Sequence, residues 1–360
     1  MTRQLIALLG RKDEPTDAVE EYCHYLGQSL QSHNFQLQIR RVPWELHGWR
    51  QSLGALQLQS QSWRGAWVLV QYTALAWSAH GFPLKFPRVF RQLKSAGVRV
   101  AVVFHDVEPF SSPRLIDRLR HRVQARTMRR AVELADLAIF TVPPEKLSWL
   151  TAVPSKAAFI PVGANLPFAE APLSRTTLDF PTVGVFSITG GEQGARETQQ
   201  ILAAVQHAAQ KLGRIRLSVF GRHAELREGA LRKGLENCSV DLSVEGIVRP
   251  EQIMDRLAAC DVLLFVRNGI STRRGSAIAG IAAGLPVIAH TISETAPPVT
   301  DAGVVLVSPN NQNELNEALV RVLSDASFRA ELSARSRAAF KAHFAWPAIA
   351  ERYAAILNSR

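Results

Sequence analysis

Residues 268–291 read NGISTRRGSAIAGIAAGLPVIAHT, and the fold turns on how this stretch is parsed. The run just before it, VLLFV (262–266), and PVIAH within it (286–290) are short and apolar, as strands are. Between them lie a polar turn and a segment, Gly275 to Ala283, made almost wholly of Gly, Ala and Ile. A helix with so little side-chain bulk can lie close against a sheet. Strand, turn, helix and strand in this order form a βαβ crossover, which joins parallel strands. Arg273 and Arg274 precede Gly275 where the helix begins, and unpaired backbone N–H groups with the helix dipole favour an anion there. A solvated arginine pair and plain helix–sheet packing account for the same residues, so the stretch defines a fold before it defines a ligand.

The same alternation extends in both directions. The second half offers strands at 182–188, 215–221, 240–246, 262–266, 286–290 and 303–307, separated by helical segments. The first half offers 4–10, 36–42, 66–72, 99–105, 137–142 and 157–162. Several are continuous apolar runs, as expected of parallel strands covered on both faces. Val19, Tyr22, Leu26 and Leu30 follow helical spacing after the first strand, with Thr16 or Asp17 as the cap. Residues 163–181 contain several prolines and no periodicity, and read as an interdomain linker. Two sets of βαβ units predict an α/β protein of two doubly wound, Rossmann-like lobes: 1–170, and 171–342. Ligands in such sheets bind beyond the carboxyl ends of the strands, and two lobes with facing ends enclose a cleft.

The chain has 360 residues, 47% of them hydrophobic and 20% charged, with a formal net charge of +11. That charge suits an anionic partner such as a phosphorylated small molecule, a membrane surface or nucleic acid; an arginine-rich composition without purpose gives the same number. Cys23, Cys238 and Cys260 are scattered and lack metal-ligand spacing, so neither disulfide nor structural zinc is expected. The apolar run Leu5 to Leu9 is too short for a signal peptide, and no uncharged apolar stretch reaches about 18 residues. The expected location is the cytoplasm, with membrane contact only from outside.

VEGIVRPEQIMDRLAACDVLLFV (244–266), AGIAAGLPVIA (279–289) and GVVLVSPNNQNELNEALVRVL (303–323) together resemble the donor lobe of GT-B glycosyltransferases of family 4. GRKDEPTDAVEEYCHYLGQSL, VLVQYTALAWSAHGFP, VVFHDVEP and FIPVGANLP look like the acceptor lobe of the same enzymes. The resemblance implies a GT-B fold, a nucleotide-diphosphate-sugar donor, a glycan or lipid-linked acceptor in polysaccharide biosynthesis, retention of configuration and no cofactor or metal. It also implies that the last helix, about 343–360, crosses back to the first lobe. The family signature is two glutamates with seven residues between them, followed by a small-residue helix ending Gly-x-Pro-Val. Gly284-Leu285-Pro286-Val287 supplies the ending, but the glutamate positions fall on Ser271 and Ala279. The Arg and Lys that often touch the diphosphate after the lobe's first strand are also missing. The loop there, SITGGEQGAR, offers Arg196 alone.

Arg273, Arg274 and Gly275 are therefore the expected diphosphate site, with Arg196, Gly190 and Gly191 beside it. Gly221, Arg222, Gly246, Ile247 and Ser271, at strand ends, are the candidate nucleotide contacts. In FHDVEP, His105 and Asp106 follow the fourth strand, where His105 can touch the sugar or orient the acceptor and Asp106 can accept a proton. Asp106 as a mere turn cap is the alternative, and Asp106 with Glu108 as a metal pair is discounted. Gly10, Arg11, Tyr72 and Glu294 complete the cleft.

Residues 111–130 carry seven arginines against Asp117, with Leu115, Ile116, Leu119, Val123 and Thr127 on one helical face. The segment is either an amphipathic helix on an anionic membrane or a core helix with a basic outer face. Nucleic acid is not expected, because no aromatic platform accompanies the arginines. Two rivals to sugar transfer remain: a catalytically idle sugar-nucleotide-binding or partner protein, and a nucleotide-sugar epimerase.

Overall fold

All twelve expected strands form in the computed structural model, which describes residues 2–14, 16–166 and 180–359. The expected linker lies largely outside the described residues, and the boundary at 170/171 lies wholly outside them. The chain divides into two compact units, residues 1–162 with 346–360, and residues 163–345.

The first unit contains β1 (Arg3–Leu9), α1 (Ala18–Leu30), β2 (Phe35–Arg41), α2 (Trp44–Ser60), β3 (Trp67–Tyr72), α3 (Phe86–Ser95), β4 (Arg99–Phe104), α4 (Leu115–Leu134), β5 (Leu137–Phe140) and β6 (Ala157–Phe159). Its sheet runs β2-β1-β3-β4-β5-β6, with every neighbouring pair parallel. β3 is buried at all six positions, which explains why its sequence shows no alternation. Asp17 caps α1 by accepting from the N–H groups of Val19 and Glu20, both at 3.1 Å.

The second unit follows with β7 (Thr182–Phe186), α5 (Gly191–Leu212), β8 (Ile215–Phe220), α6 (Glu228–Leu235), β9 (Val240–Glu245), α7 (Pro250–Ala258), β10 (Val262–Phe265), α8 (Gly275–Ala282), β11 (Val287–His290), β12 (Val304–Val307), α9 (Gln312–Ser324) and α10 (Ala326–Ala339). Its sheet is also parallel, in the order β12-β11-β10-β7-β8-β9. Several strands stop short of their sequence-predicted carboxyl ends because the backbone turns there: Ser187 has φ 68° and Gly221 φ 95°. α8 packs as its composition requires. A Cβ added at Gly280 would stand 2.4 Å from Leu263 Cδ2 of β10.

The last helix, α11 (Trp346–Asn358), belongs to the first unit. It begins at Trp346 rather than about 343, because residues 340–344 form a π turn and Pro347 sits in the opening turn, where its missing N–H costs nothing. Trp346 stacks on Tyr25 at 5.7 Å and meets Tyr22 edge-on at 5.1 Å. The Tyr22 and Tyr353 hydroxyls hydrogen-bond at 2.9 Å, and Trp67 Nε1 donates to Leu357 O at 3.3 Å.

In both sheets the order reverses once, between β1 and β3 in the first and between β7 and β10 in the second. Helices leave the sheet on opposite sides of each reversal and open a crevice at the carboxyl rim. Because Trp346 fixes α11 to α1, Trp346→Ala is expected to destabilise the protein by about 3–5 kcal/mol in urea unfolding.

Candidate functional site

The reversal in the first unit coincides with a cavity of about 310 Å³ lined by Leu9, Arg11, Lys12, Asp17, Gln71, Thr73 and Asp106, among others. Gly10 is needed at its edge because an added Cβ would lie 2.2 Å from Ala76 O; Arg11 N donates to that same oxygen at 2.8 Å. Arg41 holds the far side, donating to Gly10 O at 3.1 Å and to Asp17 at 2.8 Å. Arg11 reaches Glu45 at 3.4 Å.

His105 follows β4 and is half-buried, with its ring edge-on to Tyr22 at 4.9 Å. Its Nε2 lies 2.8 Å from Gln71 Oε1. Gln71 Nε2 donates to Leu69 O, so the amide oxygen faces the ring and the imidazole carries its proton on Nε2. Burial pushes the His105 pKa down to about 4, and the charge of Asp17 offsets this only in part. The ring is neutral near pH 7, with an Nδ1 lone pair available as an acceptor. Asp106 reaches the cavity while its Oδ2 accepts from Ala74 N at 2.8 Å. Glu108 turns away to accept from Ser148 N at 2.6 Å, so these two acids do not form a metal pair. Tyr72, expected at the rim, lies in the core instead. Its side chain is fully buried between Phe86 and Phe104, because the last residue of a central strand still points into the layer of helices.

In the second unit the reversal places the end of β7 beside that of β10. The loop Thr189–Gly191 opens α5, with Gly190 as its N-cap and Gly191 at φ 64°. The completely buried Glu197 accepts from Thr189 N at 2.8 Å and fixes this loop. An added Cβ at Gly194 would sit 1.7 Å from Thr189 O, so the turn tolerates no side chain there. Arginines and a histidine stand near the loop. Arg227 donates to Gly191 O, and the His223 ring lies 3.4 Å from where a Gly190 Cβ would be. Ile188 N donates to Arg222 O at 3.0 Å, which draws the Arg222 backbone to the loop. Arg267, just after β10, has its pKa lowered by burial; the Glu197 charge opposes that shift and Arg222 adds to it. The N-terminus of the 22-residue α5 beside such groups favours an anion. Arg222 was expected to contact the nucleotide, whereas Glu197, His223, Arg227 and Arg267 were not singled out.

Residues 186–325 match the family model of glycosyl transferases group 1. A GDP-mannose-dependent monoacylated alpha-(1-6)-phosphatidylinositol monomannoside mannosyltransferase of Corynebacterium glutamicum is 30% identical over 138 residues, 37% of this chain and 36% of that enzyme's length. Sucrose-phosphate synthase from Thermosynechococcus elongatus superposes with a TM-score of 0.73 at 18% identity, covering 99% of this chain and 98% of that one. HepE from Anabaena, solved with UDP and glucose, superposes with a TM-score of 0.67 at 14% identity over 99% and 100% of the two chains. The fold is GT-B, and the match to the group 1 model lies within the second unit.

The two signature positions that lack glutamate lie in the interior: Ser271 is completely buried and Ala279 nearly so. Arg273 grips Glu294 bidentately, at 2.8 and 2.9 Å. Burial pushes the Glu294 carboxyl up, but the hydrogen bond and charge of Arg273 and the charge of Arg274 hold it below its ordinary value. The expected diphosphate clamp is thus already neutralised in part by the chain's own carboxylate. Arg274 is the N-cap of α8, and Gly275 behind it is exposed. Arg196 is 72% exposed on α5, 4.0 Å from Glu192 in the first turn of the same helix. Gly221 and Gly246 join the ends of β8 and β9 through a 2.8 Å backbone bond. Ile247 is 60% exposed beyond them.

The buried His105 binds its proton more readily in the unfolded chain, at about 6.5, than in the fold, at about 4. Between those values the unfolded state takes up more protons, so stability is full above about pH 6.5 and falls as pH drops toward 4. The expected loss, up to about 3 kcal/mol, is measured by urea unfolding across pH; His105→Gln should flatten that part of the profile.

Proposed function

We propose that this chain transfers a glycosyl group from a nucleotide-diphosphate sugar, held by the second unit, to a hydroxyl of a glycan or lipid-linked acceptor, held by the first. The observation that carries the reading is the Thr189–Gly191 loop at the start of α5, with Arg222, His223, Arg227 and Arg267 near it. As the bond between the sugar and the diphosphate breaks, negative charge grows on the departing phosphate. Fixed N–H groups and guanidinium groups at that point stabilise the transition state more than the ground state. They supply the positive charge that a divalent ion would otherwise bring, so EDTA is expected to leave turnover unchanged. The acceptor hydroxyl loses its proton as the new bond to the sugar forms, and Asp106 and the neutral His105 are the groups of the first-unit cavity that can orient or accept it. Retention of configuration fits the group 1 match. The C. glutamicum relative is named for GDP-mannose and HepE was solved with UDP and glucose, so GDP and UDP sugars are the donors to try first.

One observation favours a second reading. Ser271 and Ala279 put no carboxylate toward a sugar, and Glu294 occupies Arg273; a protein that binds the sugar nucleotide without turning it over has the same features. Incubation with UDP, GDP and ADP sugars and a lipid or glycan acceptor separates the cases. Release of nucleoside diphosphate with glycosylated acceptor supports transfer. Binding without turnover supports the idle protein, and an isomerised sugar nucleotide supports an epimerase.

Calorimetry tests the anion site itself. Arg267→Ala is expected to weaken nucleoside-diphosphate affinity by about tenfold to a hundredfold, the range for a charged hydrogen bond. Arg196→Ala should leave it unchanged, and Arg273→Ala should have the smaller effect of a cation already paired. Equal affinity in wild type and Arg267→Ala would remove the diphosphate from this loop.

A further inference from the structure

Parallel strands are ordinarily apolar on both faces, and β8 and β9 of the second unit depart from that. Their register places Thr182, Arg216 and Asp241 side by side on β7, β8 and β9, followed by Gly184, Ser218 and Ser243. Alternation along each strand puts these residues on one face of the sheet and Val183, Leu217 and Leu242 on the other. The apolar set packs into the core of the unit. On the polar face Thr182, Arg216, Ser218, Asp241, Ser243 and Glu245 line a cavity of about 380 Å³. Arg256 of α7 and Cys260 beyond it form its side wall. Gly184 makes room for that wall, since an added Cβ would lie 2.7 Å from Cys260 Sγ. Phe186 and Phe220, next on the same face, stack at 5.1 Å between these residues and the carboxyl rim.

The lining is polar and balanced in charge. Asp241 lies 3.5 Å from Arg216 and 3.0 Å from Arg214, and Arg256 holds Glu245 at 2.9 and 3.0 Å. The hydrogen bond and charge of Arg214, with those of Arg216, keep the Asp241 carboxyl below its ordinary value. Each carboxylate has more lone pairs, and each guanidinium more N–H groups, than these bonds use. Ser218 and Ser243 add hydroxyls that donate or accept. Thr182 is 2% exposed, and its Oγ1 has no hydrogen-bond partner among the described residues. A buried hydroxyl without a partner is destabilising, and a polar group entering this cavity would supply one.

We infer that the cavity is a second ligand site, for a neutral polyhydroxylated molecule of one or two sugar rings. A sugar hydroxyl donates once and accepts twice, and its neighbour on the ring does the same. Carboxylate, guanidinium and hydroxyl groups side by side on a sheet match that array. An anion would meet Asp241 and Glu245 beside arginines that are already paired. An apolar ligand would desolvate both ion pairs and leave Thr182 as it is. The volume lies at the lower end of the range for small-molecule sites, about 300–1,000 Å³. The inference needs neither a donor nor turnover, so it stands whether or not the Thr189–Gly191 loop holds a diphosphate.

Saturation-transfer NMR titration of the full chain with glucose, mannose and maltose, each with and without inorganic phosphate, tests it. At least one of these sugars should bind, and phosphate should not displace it. Ser218→Leu, which puts a side chain into the cavity, should abolish the signal. Thr182→Val keeps the shape and removes the hydroxyl. It should weaken the sugar about two- to tenfold, the range of a neutral hydrogen bond, while the melting temperature stays level or rises because the unsatisfied group is gone. Thr182→Val carries the test if Ser218→Leu lowers the melting temperature. Arg267→Ala should leave sugar affinity as it was. The inference is overturned if none of the three sugars binds, or if Thr182→Val binds as wild type does. Loss of the sugar in Arg267→Ala would overturn it by moving the sugar to the carboxyl rim, and displacement by phosphate would overturn it by making the cavity an anion site.

Discussion

A parallel sheet whose strand order reverses cannot cover its own carboxyl rim. Helices on either side of the reversal depart in opposite directions, and backbone groups at the rim are left to be satisfied by something else. Both units obey this constraint, at β1/β3 and at β7/β10. The residues that matter for function are those the chain uses to finish these two rims. In the first unit Arg41, Asp17 and Gln71 do so with neutral and paired groups, and a cavity remains. In the second unit one buried carboxylate, Glu197, holds the loop while guanidinium groups gather above it. The first rim is thus closed by paired and neutral groups, whereas guanidinium groups gather at the second.

The fold was legible because parallel strands, buried on both faces, must be nearly continuous apolar runs, and helices that crowd a sheet must be small-sided. VLLFV and the Ala/Gly run of α8 satisfy both demands, and the structure packs Gly280 against Leu263 accordingly. Site residues were legible only where position along a strand decides them. His105 and Asp106 follow a strand end directly and reach the first rim. Arg267 stands one residue beyond a sequence-predicted strand end and was passed over, since a single arginine at a turn carries no pattern. Glu197 lies inside a helix, eight residues from the N–H it binds, and only the helix packing aims it back at the loop. Tyr72 shows the opposite failure: its position at a strand end was right, but the direction of its side chain was not visible in one dimension. Arg273 was read by its own charge, while its partner Glu294 comes from the loop after β11, 21 residues further along.

α4 makes the same point about amphipathic helices. An apolar stripe in sequence is ordinarily assigned to the core. Here the core side of the helix is anchored by Asp117 and Gln124, and the more apolar side of its opening turns is left in solvent. Periodicity identifies the faces of a helix, and the ion pairs and hydrogen bonds beneath it decide which one is buried.

The membership of α11 in the first unit bears on how the chain is made. Residues 346–358 close over α1 and give Tyr22, which packs on His105, its phenol partner Tyr353. During synthesis, Tyr22 and Trp67 leave the ribosome early and wait for partners that emerge only after the whole of residues 163–345. The contiguous second unit can therefore complete its fold while the discontinuous first unit still lacks its last helix.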